Sequence, residues 1–168
     1  MTFPQRAIGA ARLEVRVFEE IEADRTATGQ ALIVVVASSL YNAPALHRVM
    51  LALLLWVFWA ISTYIVGVYL MPEPQTRTSV GELLRTIGFA ASPGILRILG
   101  VIPGIGGLIY IISTVWMLVA MVIAIRQALD YTSTARAAVV CVITGMIGVI
   151  MAALFGALVL FAAEEVVF

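Results

Sequence analysis

From Val49 to Met71 the chain reads VMLALLLWVFWAISTYIVGVYLM, without one charged side chain. A run of this kind leaves few options. About 20 mainly apolar residues cross the ~30 Å hydrocarbon core of a bilayer as a helix. With no water at that depth, the backbone must satisfy its own polar groups, which a helix does. Composition extends the argument to the whole chain. Hydrophobic residues make up 62% of the 168 residues and charged residues 12%, against roughly 45–50% and about 25% in soluble domains. A soluble fold of this length could not cover so much apolar surface, so the expected solvent is lipid.

The predicted class is an all-α integral membrane bundle of about five transmembrane helices. A cytoplasmic amphipathic segment, 1–25, precedes a membrane domain over 26–168. The expected spans are about 27–45, 49–71, 81–101, 104–125 and 135–162. The first is the weakest, being solidly apolar only from Ala31 to Ala37, with Asn42 and Pro44 near its end. The third is broken by Ser92-Pro93-Gly94, and Pro103 with its flanking glycines forms the tight turn into the fourth. Cytoplasmic loops carry an excess of arginine and lysine. Five spans with the N-terminus inside put Arg6, Arg12, Arg16, Arg25, Arg77, Arg85, Arg126 and Arg136 in the cytoplasm, leaving Arg48 and Arg97 outside. If the first segment only dips into the membrane, the bias shrinks to six against four. The expectation is therefore a multi-pass cell-membrane protein with its N-terminus cytoplasmic and its C-terminus outside. The stretch MTFPQRAIGAARLEVRVFEEIEADRT has no uninterrupted apolar core and does not read as a signal peptide. Its Leu13, Val17 and Ile21, with Phe18 beside them, form an apolar stripe for the headgroup region, for the protein's own loops or for a partner.

Several function classes are disfavoured at once. Net charge is zero, so no global basic field points to nucleic acid. All ten basic residues are arginine, which removes lysine-dependent chemistry. A lone cysteine, Cys141, allows neither an internal disulfide nor a thiol cluster. One histidine excludes the HExxH zinc motif, and Glu82, Asp130, Glu164 and Glu165 all fall at span edges, so no acid pair sits at mid-depth. No enzyme, no cofactor and no metal is expected; His47 is a weak candidate ligand for haem or a pigment and reads first as a turn residue.

Structural roles account for the remaining features. Pro93 and Gly94 in a span free backbone groups, as in the discontinuous helices of transporters. Arg85 and Arg97 then either serve such a site or snorkel to opposite interfaces. Ala137, Cys141 and Gly145, with Gly148, Ala152 and Gly156, place small residues at four-residue spacing, which suits close helix packing within the bundle or between copies. The strip RQALDYTSTARA, Arg126 to Ala137, is the polar turn between the last two spans. Tyr131 is expected at headgroup level, Asp130 paired with Arg126 or Arg136, and Ser133 or Thr134 as the cap of the last helix. Together with Arg77, Glu82 and Arg85 these residues form the expected polar, partner-facing surface.

Three stretches, FEEIEADRTATGQA (18–31), MPEPQTRTSVGELLRTIGFAASPGILRILGVIPGIGG (71–107) and RQALDYTSTARA (126–137), together resemble bacterial members of the YIP (Ypt/Rab-interacting-protein) family of polytopic membrane proteins. The resemblance implies about five membrane helices, a cytoplasmic N-terminal region and no enzymatic activity. The GTPase binding of eukaryotic members is not carried over, because their DLYGP-like motif is absent here. The chain also departs from the pattern at SSLYNAPALHR, where the first span and its turn are shortened. The expected role is a scaffold, adaptor or accessory subunit in the lipid bilayer, associating with other membrane proteins or with itself. The alternatives are a small transporter or channel using the broken third span, and a pigment or haem subunit through His47.

Overall fold

A computed structural model describes residues 1–40 and 46–166, with side-chain environments through Leu154. The described chain is all-α: α1 (Phe3–Ala11), α2 (Val15–Ala23), α3 (Ala27–Ser39), α4 (Leu46–Tyr64, continuing as a π-helix over Ile65–Leu70), α5 (Val80–Ala90, continuing as a 3-10 helix over Ser92–Val101), α6 (Gly106–Ala128) and α7 (Thr134–Val166). Four stretches are long and apolar enough to cross a membrane: Leu46–Leu70, Val80–Val101, Gly106–Ala128 and Thr134–Leu154.

Over the described part of the first expected span, 27–45, the helix is short. Its helix, α3, has 13 residues, about 20 Å at 1.5 Å per residue, short of the ~30 Å core. Two serines close its last turn. Ser38 Oγ donates to Val35 O at 2.9 Å and Ser39 Oγ to Val36 O at 2.7 Å. Such back-bonding competes with continued helix. Asn42 and Pro44 lie outside the described residues.

α5 is the central helix. Its N-terminus is fixed by a reciprocal cap: Ser79 N donates to Glu82 Oε2 at 2.8 Å, and Glu82 N donates to Ser79 Oγ at 3.3 Å. α3 runs beside it in the same direction, with Ala31 against Gly88 and Ser38 against Gly94. α4 and α6 run the opposite way. Trp56 Nε1 of α4 donates to Leu84 O at 3.0 Å, and Met117 of α6 packs on Gly94. α7 runs antiparallel to α4, with Gly145 facing Trp59 and Gly148 facing Phe58. Glycine is required where α3 meets α5: a Cβ on Gly88 would lie 2.7 Å from the Ala31 Cβ.

Residues 1–25 form two helices rather than one surface helix. Leu13, with φ 65°, sits in the turn between them. Val17, Phe18 and Ile21 are buried in the same core as Ala31, Trp56, Phe89 and Ala124. The hairpin lies along the flank of α5 and α6: Gln127 Nε2 donates to Glu19 Oε1 at 3.0 Å, and Trp116 Nε1 donates to Ala11 O at 2.7 Å. Those two contacts are eleven residues apart on α6, about 16 Å. The N-terminal helices therefore share one core with the helices that follow.

Candidate functional site

The N-terminal hairpin is held by two buried arginines. Arg6, 5% exposed, donates to Glu20 Oε1 from Nε and Nη2 at 3.1 and 3.0 Å, to Asp24 Oδ2 at 2.6 Å and to Gln30 Oε1 at 3.1 Å. Burial works against its charge, but the hydrogen bonds to Asp24 and Glu20 outweigh it and hold the guanidinium above its ordinary pKa. Hydrogen bonds from the Thr26 hydroxyl, from Arg6 and from the Thr26 N–H pull Asp24 down to about 2. The N-terminal ammonium, 2.6 Å from Glu20, lowers that carboxylate as well.

Arg85, 6% exposed, donates from Nε to Ile21 O at 3.2 Å and from Nη2 to Glu22 O. These carbonyls belong to the last turn of α2 and have no partner further along that helix. A cation there also meets the negative end of the helix dipole. Arg85 is thus the C-terminal cap of a helix more than sixty residues away, not an interfacial side chain reaching for water. Spacing along its own helix carries no signal of this.

The hairpin end, residues 72–79 and residues 129–133 meet at one end of the bundle. Glu19, Glu22, Arg77, Glu82, Gln127 and Asp130 line a shallow recess of about 420 Å³ there. Its field is acidic, with four carboxylates around one lining guanidinium. Partial burial first, then the charges of Asp130 and Glu82, push Glu22 up to about 7 despite the nearby Arg85.

The strip 126–137 is arranged differently from expectation. Tyr131 is 4% exposed and points inward rather than to headgroup level. Its hydroxyl lies 2.7 Å from Met71 O and 3.0 Å from Gly67 O, sharing one proton between carbonyls of the wide π-turn and the residue after it. Asp130 is exposed, has φ 53° and forms no ion pair among the described residues. Glu73 takes the part expected of it: it sits 3.5 Å from Arg136 Nε and accepts from the Thr132 N–H and hydroxyl, each at 3.0 Å. The Thr132 N–H leads the contacts that lower the Glu73 pKa. Arg126 instead donates from Nε to Tyr131 O at 3.3 Å. Ser133 Oγ accepts from Arg136 N at 3.4 Å, a cap on α7. Of the polar residues grouped from the sequence, Arg85 and Tyr131 are buried, while Glu19, Glu22 and Gln127 line the recess with Arg77, Glu82 and Asp130.

The other candidates are scattered. Ala137 and Cys141 are buried with Val66, Ile125 and Leu129; Gly145 and Gly148 face α4; Ala152 is exposed, and the side of the helix at Gly156 lies outside the described environments. His47 is exposed at the start of α4, and no group of three potential metal ligands occurs among the described residues. Pro93 and Gly94 are buried. A Cβ on Gly94 would meet Met117 Sδ at 2.8 Å and Ser38 Cβ at 2.9 Å, so the break is a packed joint. Pro103 is exposed in the turn before α6, next to Gly104 with φ 86°.

The fold thus defines an all-α protein with several helices long and apolar enough to span a membrane and an N-terminal hairpin fixed to their flank. Comparison with protein-family models, with curated proteins and with solved structures finds no match.

Proposed function

We propose that this protein is a non-enzymatic scaffold or adaptor of the cell membrane, an accessory subunit whose recessed polar end docks a partner. One observation carries the reading: three segments distant in sequence are fixed into one acidic face by Arg85, Glu73 and Gln127 rather than left as free loops. Fixing a polar face in advance reduces the ordering cost of binding. Arg77, Arg126 and Arg136 stand around this face, and by the positive-inside rule they support a cytoplasmic placement of that end. The three stretches that resemble the YIP family are the ones that meet here, and membership of that family is part of the proposal.

The test is affinity purification in mild detergent with mass spectrometry of the eluate. A defined partner is expected with the native protein and is lost in the Arg77→Ala/Asp130→Asn variant at unchanged melting temperature. A protein that always purifies alone sinks the reading. The second reading, transport at the broken third span, is favoured only by Arg97 beside the break, and the close packing of Gly94 weighs against an open path there. It requires a solute flux in proteoliposomes that Arg97→Ala abolishes.

A further inference from the structure

A second cavity, of about 360 Å³, lies between α3, α4, the two halves of the third span and α6. Its volume falls at the lower end of the ~300–1,000 Å³ range of small-molecule sites. Ser38 and Ser39, at the end of α3, form part of its wall. The cavity is polarised along the bundle. Ile87, Trp59 and Met121 line the part toward the middle of the helices, while Arg97, Thr114 and Ser39 line the part toward the far end. Thr114 and Met121 are seven residues apart on α6, about 10 Å.

Arg97 is half-buried and stands in a neutral setting. Its Nε donates to Ser113 Oγ at 3.1 Å and its Nη2 to Thr114 Oγ1 at 2.7 Å, and its guanidinium lies 4.6 Å from the Tyr110 ring centroid. Those two hydroxyls in turn donate to Tyr110 O at 3.0 and 2.7 Å. No carboxylate pairs with Arg97 among the described residues. A cation in a span is costly when unpaired, and a guanidinium has five donors, of which this network uses two. Arg97 also lies only three residues before Gly100, about 6 Å at 3-10 rise, close to the end of the span.

We infer that this cavity binds one anionic amphiphile, its carboxylate or phosphate head on Arg97 and its acyl chain against Trp56, Trp59 and Met121. The polarity matches a lipid entering from the far leaflet, with its head near the interface and its tail toward the midplane. A phospholipid and a free fatty acid share this chemistry. The site is independent of the acidic recess at the other end, so it stands or falls apart from the scaffold reading.

The experiment uses the intact chain in detergent with Trp116→Phe, which leaves Trp56 and Trp59 as the reporters. Chain-brominated phosphatidylglycerol, phosphatidylcholine and oleic acid are compared as quenchers. Phosphatidylglycerol is expected to quench at about tenfold lower concentration than phosphatidylcholine, the scale of one charge-assisted hydrogen bond. Arg97→Gln should remove the preference and Arg97→Lys retain part of it. Ala52→Leu, which narrows the cavity wall without touching the charge, should weaken quenching by the anionic probes. Quenching by oleate as well assigns the site to anionic amphiphiles in general; quenching by phosphatidylglycerol alone names a phospholipid. Equal quenching by anionic and zwitterionic lipids overturns the assignment. So does a preference that survives Arg97→Gln, or, if that variant does not fold, one insensitive to Ala52→Leu.

Discussion

Replacing Arg85 by methionine tests whether the N-terminal hairpin is locked by a cap supplied from α5. Methionine keeps most of the apolar stem and removes the donors to Ile21 O and Glu22 O. Each charge-assisted hydrogen bond contributes about 1.5–3 kcal/mol. The two share one guanidinium and are not additive, so the expected loss is about 3 kcal/mol, or roughly a hundredfold in the local opening equilibrium. Hydrogen–deuterium exchange in detergent reads this directly. Amides of α2 should lose about two orders of magnitude of protection while those of α4 and α7 change little, because α2 opens as a local unit. Glu22 supplies a second readout. Arg85 holds its pKa down, so the variant should raise it further. Unchanged α2 protection would refute the capping argument. Equal loss across all helices would show instead that Arg85 supports the whole bundle.

Other expectations follow from the same contacts. Glu22, raised to about 7, adds stability fully present below about pH 4.5 and lost as pH rises through 7; α2 protection should fall between pH 5 and 8 in the native protein and flatten in Glu22→Gln. Asp24 is depressed to about 2, so its contribution is fully present above its unfolded pKa and lost as pH falls through about 2, which acid titration of Arg6→Gln against native protein should reveal. Tyr131→Phe leaves Gly67 O and Met71 O without the hydroxyl and should cost about 1–2 kcal/mol in chemical denaturation. Thr63, fully buried with a hydroxyl that has no partner among the described residues, predicts the reverse: Thr63→Val should be neutral or stabilising by up to about 1 kcal/mol, and a clear loss of melting temperature would contradict it.

Apolarity made much of this architecture legible in the sequence. Runs such as Val49–Met71 and Gly104–Ile125 have one physical solution, and the structure holds helices at Leu46–Leu70 and Gly106–Ala128. Pro93 likewise marks where α5 gives way to 3-10 geometry. The short helix in the first expected span was less readable, because residues 31–37 are as apolar as any span and no glycine or proline stands at its end at Ser39. The site was least legible. Tyr131 and Asp130 are neighbours in a polar strip, yet one is buried and the other exposed, because the carbonyls freed by the π-turn some sixty residues earlier require a donor. Glu73 displaced Asp130 as the partner of Arg136 because the chain brings residue 73 beside residue 132. Both outcomes depend on tertiary neighbours, which periodicity along one helix does not encode.

The absence of lysine acquires a physical reading from the three arginines that matter most here. Arg6 spreads one charge over two carboxylates and an amide, Arg85 over two main-chain carbonyls, and Arg97 over two hydroxyls and an aromatic face. Each arrangement uses a planar fork whose donors point in fixed, different directions. An ammonium concentrates its charge at a point and is more strongly hydrated, so it is harder to bury in the same place. The three sites differ in their partners, and that difference sorts their roles. Arg6 has its counter-charges and Arg85 has the negative end of a helix, so both are closed structural contacts. Arg97 alone of the three has only neutral acceptors among the described residues and faces a cavity. That asymmetry makes Arg97, rather than the more deeply buried pair, the place where an anion from outside the chain completes the structure.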